Sequence, residues 1–377
     1  MKKRTTLISL ALASLLMFSA CDKQADILAE TTVFVPEFDD SLSVADVVKD
    51  MGLGINLGNT MEAGGGETFW GSPEVTKEMI QGYADCGFGV LRIPVSWSLK
   101  MNMDDFTIDP DRMSRVKQIV QWTLESGMYA IVNIHGDGGW MSKFPENKEN
   151  CMKRYTRIWE QICEEFKDFN GKVMFESLNE DGGWDSLWNR FTDVGDKEAS
   201  YSLLNEINQK FVDIVRASGG NNENRHLLIA GYVTDIDNTC DELYKMPNDP
   251  KNRCAISVHY YTPPTFALID KDQSWGKLQT TWGTEEDVKE MVNNVQKMKE
   301  WFVDKGVPVI IGEYSVCAHD KKERDSVHLF LTTFIKETTE RDMCPVLWDI
   351  TNDFYNRITY QFIDQELLQK MKDAYVK

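Results

Sequence analysis

Two glutamates each close an apolar, strand-like run, and each stands among residue types that sugar chemistry uses. The first run is Val173-Met174-Phe175-Glu176-Ser177-Leu178-Asn179-Glu180, and the second is Val307-Pro308-Val309-Ile310-Ile311-Gly312-Glu313-Tyr314. A carboxylate at the mouth of a buried strand is costly unless it is paired or used. Either glutamate alone reads equally well as a helix cap or a salt-bridged rim residue. Two in one chain fit the acid and the nucleophile that cleave a glycosidic bond, about 5–5.5 Å apart when stereochemistry is retained. Glu180 is the candidate acid, with the Asn179 amide beside it to hold a sugar 2-hydroxyl, and that role predicts a raised pKa. Glu313 is the candidate nucleophile and needs donors and positive charge to stay ionised. Arg92 could supply the charge, and Tyr261 or Tyr314 a hydroxyl. Taken singly, Arg92 reads as a structural ion pair; beside two catalytic carboxylates it reads as an electrostatic tuner.

The elements that must hold these groups recur as strand, then helix. Gly52 to Asn59 leads to a helix expected to start at Pro73, a proline in the first turn. Val90 to Val95 leads to a helix from about Asp111. Tyr129 to His135 follows Gly127, a C-cap signal. A helix near Lys148 to Phe169 precedes the Glu180 strand, and one near Tyr201 to Ala217 precedes Leu227 to Gly231. Ala255 to Tyr260 is the sixth strand. A helix from about Glu285 to Asp304 ends at Gly306, before the Glu313 strand. Val346 to Trp348 is the eighth, and the last helix ends near Tyr375. Near-continuous apolar strands are covered on both faces. About eight of them alternating with helices fit a single (β/α)8 barrel over residues 45–377. A doubly wound sheet would need a phosphate-binding first loop, and Gly52-Leu53-Gly54 is too little for one. Arg92, His135, Asn179, Glu180, His259, Glu313 and Trp348 fall at or near C-terminal strand ends, where such barrels build active sites.

His135 and His259 are two of five histidines. Each alone reads as a satisfied polar residue. A catalytic metal is not expected, because barrel metallohydrolases begin with His-x-His on the first strand and this one ends in Asn56 and Asn59. No cofactor is implied. Among eleven tryptophans, Trp140, Trp184 and Trp348 directly follow strands and are the candidate sugar-stacking platforms, the others reading equally as core. The acidic stretch Asp320 to Asp325 reads as a solvated face.

Lys2, Lys3 and Arg4 precede the apolar run Leu7 to Ala20, too short for a membrane span and fitting a signal peptide over residues 1–20. Phe18-Ser19-Ala20-Cys21 resembles a bacterial lipobox, which implies cleavage before Cys21 and its lipidation; the alternative is an ordinary secretory signal. Residues 21–44 read as a tether. The expectation is a lipoprotein of the cell envelope, touching membrane only through that anchor and otherwise monomeric. Seven further cysteines cannot all pair within one chain, and Cys151 and Cys163 lie about 18 Å apart along one helix, so most read as buried thiols. Lys+Arg 41 against Asp+Glu 60 gives a net charge of −19, which repels nucleic acid and leaves a neutral polysaccharide indifferent.

From Met51 to the last helix the chain resembles glycoside hydrolase family 5, most closely its bacterial endo-glucanases and xyloglucanases. The resemblance rests on Gly54-Ile55-Asn56-Leu57-Gly58-Asn59-Thr60-Met61-Glu62-Ala63, Arg92-Ile93-Pro94-Val95-Ser96-Trp97, Asn133-Ile134-His135, Phe175 to Glu180, His259-Tyr260-Tyr261, Gly312-Glu313-Tyr314 and Leu347-Trp348-Asp349. It implies Glu180 as acid/base, Glu313 as nucleophile, and Arg92, His135, Asn179, His259 and Tyr261 as support. It also implies Trp348 as a platform, and Asn59 and Glu62 as contacts to sugars on the non-reducing side. The chain departs from the family pattern at Gly136 (commonly His), Asp181 (commonly Pro) and Ser315 (commonly Gly), which bears on substrate preference. The expected activity is retaining endo-β-1,4-glucanase on xyloglucan, mixed-linkage glucan or cellulose-like chains. The alternatives are an endo-β-mannanase or other β-glycanase, and a catalytically inactive glycan-binding protein.

Overall fold

Eight short parallel strands close on one another in chain order: β1 (Gly54–Asn56), β2 (Val90–Ile93), β3 (Tyr129–Val132), β4 (Val173–Glu176), β5 (Leu227–Ala230), β6 (Cys254–Tyr260), β7 (Val309–Tyr314) and β8 (Cys344–Leu347). β1 pairs with both β2 and β8, which completes the barrel. The computed structural model describes residue 39, residues 41–182, residue 188 and residues 195–377. The signal peptide, Cys21, most of the tether and Trp184 therefore lie outside the described residues. Among the described residues no helix is long and apolar enough to cross a membrane.

Strand parity explains both the core and the site. Val90, Met174, Ala255 and Ile310 point into the barrel and form its apolar floor with Tyr129, Ile131 and Leu228. Their neighbours Leu91, Phe175, Ile256 and Ile311 point outward into the layer under the helices. Two residues further along the inward rows stand Arg92, Glu176 and Ser257, all fully buried. The same row is thus apolar at the bottom of the barrel and charged at its top.

Helix α1 (Val44–Met51) plugs the bottom. Val44, Val47, Val48 and Met51 join the inner cluster, and burying each large side chain contributes roughly 1.5–3 kcal/mol. Its start is set by a capping box: Ser43 accepts from the Asp46 amide and Asp46 accepts from Ser43. Ser43 and Val44, placed in the tether from sequence, therefore belong to this helix.

The outer helices are α2 (Lys77–Asp85), α3 (Pro110–Glu125), α4 (Lys148–Phe166), α5 (Lys197–Ala217), α6 (Glu285–Trp301), α7 (Arg324–Thr339) and α8 (Gln365–Ala374). α2 starts at Lys77 and not at Pro73, because the Thr76 hydroxyl caps it by accepting from the Met79 amide at 3.1 Å. α3 has the anticipated start, with Asp109 as cap and Pro110 in the first turn. α4 ends at Phe166, short of Phe169. Between β5 and β6 the regular helix is reduced to the single turn Ile236–Thr239, which leaves that side of the rim open.

Candidate active site

Arg92 is the hub. Its Nε donates to Glu176 at 2.7 Å, Nη1 to Glu313 at 2.8 Å and to Asn56 at 3.0 Å, and Nη2 to Asn179 at 2.9 Å. Burial works against its charge, but Glu176 and Glu313 together overcome that and hold its pKa above the usual arginine value. Glu176 is completed by the Ser257 hydroxyl at 2.7 Å. Glu313 receives a second donor, the Tyr261 hydroxyl, at 2.9 Å. Burial raises its pKa, while His259, Arg92 and the Tyr261 bond oppose the rise. Tyr314, the other hydroxyl proposed from sequence, packs outward against Phe334.

Glu180 sits at the rim, its side chain 48% exposed, with Nδ1 of His259 at 2.8 Å from Oε1. The same nitrogen lies 3.6 Å from Glu313. One atom each of Glu180, His259 and Glu313 lie within 4.8 Å of one another. Oxygens this close fit the roughly 5–5.5 Å between the carboxyl groups of a retaining enzyme better than the roughly 6.5–9.5 Å of an inverting one. The trio would also suit a divalent cation geometrically, yet Arg92, Tyr261 and His259 already satisfy its carboxylates.

The raised pKa expected of Glu180 is not found. Burial raises it, but the hydrogen bond and charge of His259, aided by Arg92, win and lower it. A glycan lying over the exposed side excludes water and strengthens the raising influence, so the acid form is favoured when substrate is bound. In a His259→Leu variant both carboxyls lose a stabilising charge, and both pKa values rise. The two limbs of the kcat/KM pH profile, measured on an activated aryl glycoside, should therefore move upward together. Limbs that stay in place would mean that His259 does not tune the pair.

A bulge aims the two groups at each other. β6 and β7 are in register up to Val258 and Ile311, then His259 pairs with Glu313, and Gly312 is the extra residue. A side chain at Gly312 would meet the Ser257 hydroxyl at 2.9 Å and Nε2 of His259 at 3.2 Å, so only glycine lets the bulge close.

Trp348, expected as a platform, and His135, expected as support, stand together. Their rings stack at 5.8 Å and 10° from parallel. Burial, Arg92 and His259 hold His135 well below the usual histidine pKa, so it is a neutral ring beside the cation. The indole lies over Gly58, where a Cβ would meet the Asp349 carbonyl at 2.6 Å and the ring at 3.0 Å. Asn59 sits next to it in the turn after β1, at φ 56°. Glu62 turns both oxygens onto the Asn59 and Thr60 amides, which makes it the builder of that turn, and any sugar hydroxyl must share them. Arg357 ties this turn to the β8 loop by donating to Gly58, Thr60, Ser72 and Asp349.

Trp140 is not a platform. It is buried, donates to Asp137 at 2.7 Å and is covered by Arg154 at 4.7 Å. The seven described cysteines are all free and mostly buried. Sequence reasoning gave no role to Asn56, Glu176 or Ser257. Parity was the available signal, since each lies an even number of residues along an inward row, where a polar group inside an apolar strand must meet a partner.

Arg92, Asn179, Glu180, His259, Tyr261 and Glu313, gathered at the C-terminal rim of a (β/α)8 barrel, define a glycosidase of the two-carboxylate kind. The family model for cellulase (glycosyl hydrolase family 5) matches residues 56–354, and the chain belongs to that family. It is 31% identical to endoglucanase A of Paenibacillus barcinonensis over 378 residues, covering 88% of this chain and 91% of that one. It is 31% identical to the xyloglucan-specific endo-β-1,4-glucanase BoGH5A of Bacteroides ovatus, covering 82% and 66%. Against the longer cellulase/esterase CelE of Acetivibrio thermocellus it spans 39% of that protein at 32% identity. The solved GH5-4 broad specificity endoglucanase from Clostridium cellulovorans superposes with a TM-score of 0.81 at 34% identity, covering 90% of this chain and 98% of that one.

Proposed function

We propose that this chain is a retaining endo-β-1,4-glucanase acting on xyloglucan, mixed-linkage β-glucan or cellulose-like chains. The observation that carries the reading is the carboxylate pair, within 4.8 Å, with Glu313 buried on Arg92 and Tyr261 and Glu180 open to the cleft. In the first step Glu313 attacks the anomeric carbon while Glu180 gives its proton to the glycosidic oxygen. In the second, Glu180 takes a proton from water, the water attacks that carbon and Glu313 is released. Arg92 and Tyr261 stabilise the Glu313 anion before attack and as it leaves. Asn179, oriented by Arg92, faces the sugar ring above the His135–Trp348 platform. The endoglucanase and xyloglucanase relatives support a glucan backbone.

The test is reducing-end release by residues 22–377 on xyloglucan, mixed-linkage β-glucan and glucomannan, with the anomer of the first product read by NMR. A β product from a glucan is expected. Initial α product, or turnover confined to glucomannan, would overturn the assignment. The charged and apolar N-terminus ending at Cys21 supports a lipid-anchored, envelope-facing protein. Loss of membrane association in a full-length Cys21→Ser variant, against its retention in the parent, is the corresponding check.

A further inference from the structure

A cavity of about 900 Å³ opens beyond the catalytic groups, with Glu180, His259 and Tyr261 at its inner end. It runs outward between the Tyr232–Asn238 segment after β5 and the first turns of α6. Its direction can be assigned. The acid on β4 and the nucleophile on β7 face each other across the barrel. A glycan held between them must leave the rim over β5 and β6 on one side, and over β8 and β1 to β3 on the other. The His135–Trp348 platform lies on the second side, so the sugar that bonds to Glu313 sits there. The β5–β6 arm then receives the chain that departs.

That arm is lined by Asp235, Asp237, Glu286, Asp287 and Glu290 against one ammonium, Lys289. Three of the five have structural work. Asp235 and Asp287 cap helices, and Asp237 pairs with Lys297 at 2.7 Å. Glu286 and Glu290 cap nothing and meet no cation among the described residues. The two walls also feel each other. After burial, the charges of Asp287 on its own helix and Asp237 across the cleft raise the pKa of Glu290.

We propose that this acidic arm is a charge filter, which admits uncharged glycan on the leaving-group side and refuses chains that carry carboxylates. The inference rests on the endo-glucanase reading and narrows its substrate class to neutral backbones and neutral branches. Carboxylates accept hydrogen bonds from sugar hydroxyls, so a neutral chain pays nothing for their charge. A carboxylated chain meets like charge along that wall, a repulsion that salt screens because Glu286 and Glu290 are exposed. Each pair of like charges about 6 Å apart in a water-like medium costs about a threefold factor in binding.

The test compares kcat/KM on hydroxyethylcellulose, which is neutral, with kcat/KM on carboxymethylcellulose of matched substitution and length. The parent is set beside Glu286→Gln/Glu290→Gln and a control of equal charge change away from the cleft, Glu78→Gln/Glu223→Gln, on α2 and in the turn that precedes β5. The neutral-to-anionic ratio is expected to fall about tenfold in the cleft variant, from two charges removed. It should stay at the parent value in the control, and shrink in the parent as salt rises. A ratio equal in all three proteins, or one that falls equally in the control, would overturn the filter while leaving the endo-glucanase reading intact. A folded parent that cleaves neither polymer would overturn both.

Discussion

Replacing Glu313 by Gln should abolish turnover of every β-glucan, by on the order of 100,000-fold, while the protein stays folded. The magnitude is that of removing the group that forms the covalent intermediate. The fold survives because Gln fills the same volume: its amide oxygen still accepts from Arg92, which donates to Glu313 at 2.8 Å, and its NH2 can donate to the Tyr261 hydroxyl, which turns to accept. One buried anion is also removed, so Arg92 keeps Glu176 as its ion partner. The measurement is kcat on polysaccharide beside a denaturant midpoint for the same preparation. Turnover within tenfold of the parent would remove Glu313 from the mechanism. Glu180 offers the contrast. It is half exposed and held by one bond from His259, so its loss should slow natural substrates most and activated aryl glycosides least.

Arg92→Met should be the most destabilising single change in the site, by about 3–5 kcal/mol, because it leaves Glu176 and Glu313 as buried anions without their cation. Four side-chain hydrogen bonds disappear with it. Activity should fall about 100- to 1000-fold, the scale of one lost preorganised donor at a charged reacting group. The second variant Arg92→Met/Glu176→Gln separates the two effects. The amide that replaces the Glu176 carboxylate can still bond Ser257 and carries no charge, so much of the stability should return. Glu313 still lacks its cation, so activity should not. Chemical denaturation and kcat/KM on the same pair decide this. Restored activity in the double variant would mean that Arg92 acts only through folding.

The barrel was legible because most strands are near-continuous apolar runs and several of the long helices carry ordinary start or stop signals, whereas Arg324–Thr339 has no side-chain cap and was not read as a helix. The helix expected from about Asp111 begins at Pro110, and Gly306 follows α6 where the sequence places it. Pro73 misled because a proline is compatible with a first turn without requiring one, while the Thr76 hydroxyl supplies an actual acceptor for a free amide. Trp140 misled because an indole next to a glycine-rich turn looks solvent-facing until Asp137 and Arg154 are seen to enclose it.

The sequence by itself determined the barrel class and the strand-end positions of the two carboxylates, because strand-end position and residue type are local properties. Only the tertiary structure decided the charge state those carboxylates favour. Arg92, Glu176 and Glu313 come from β2, β4 and β7, and their balance depends on distances of 2.7–2.8 Å that no local pattern encodes. Glu180 was expected to be the raised carboxyl and is lowered, because the Nδ1 of His259, on β6, bonds it at 2.8 Å. Burial and the charge of His259 oppose each other there, and the outcome is set by a side chain that arrives from another strand of the barrel.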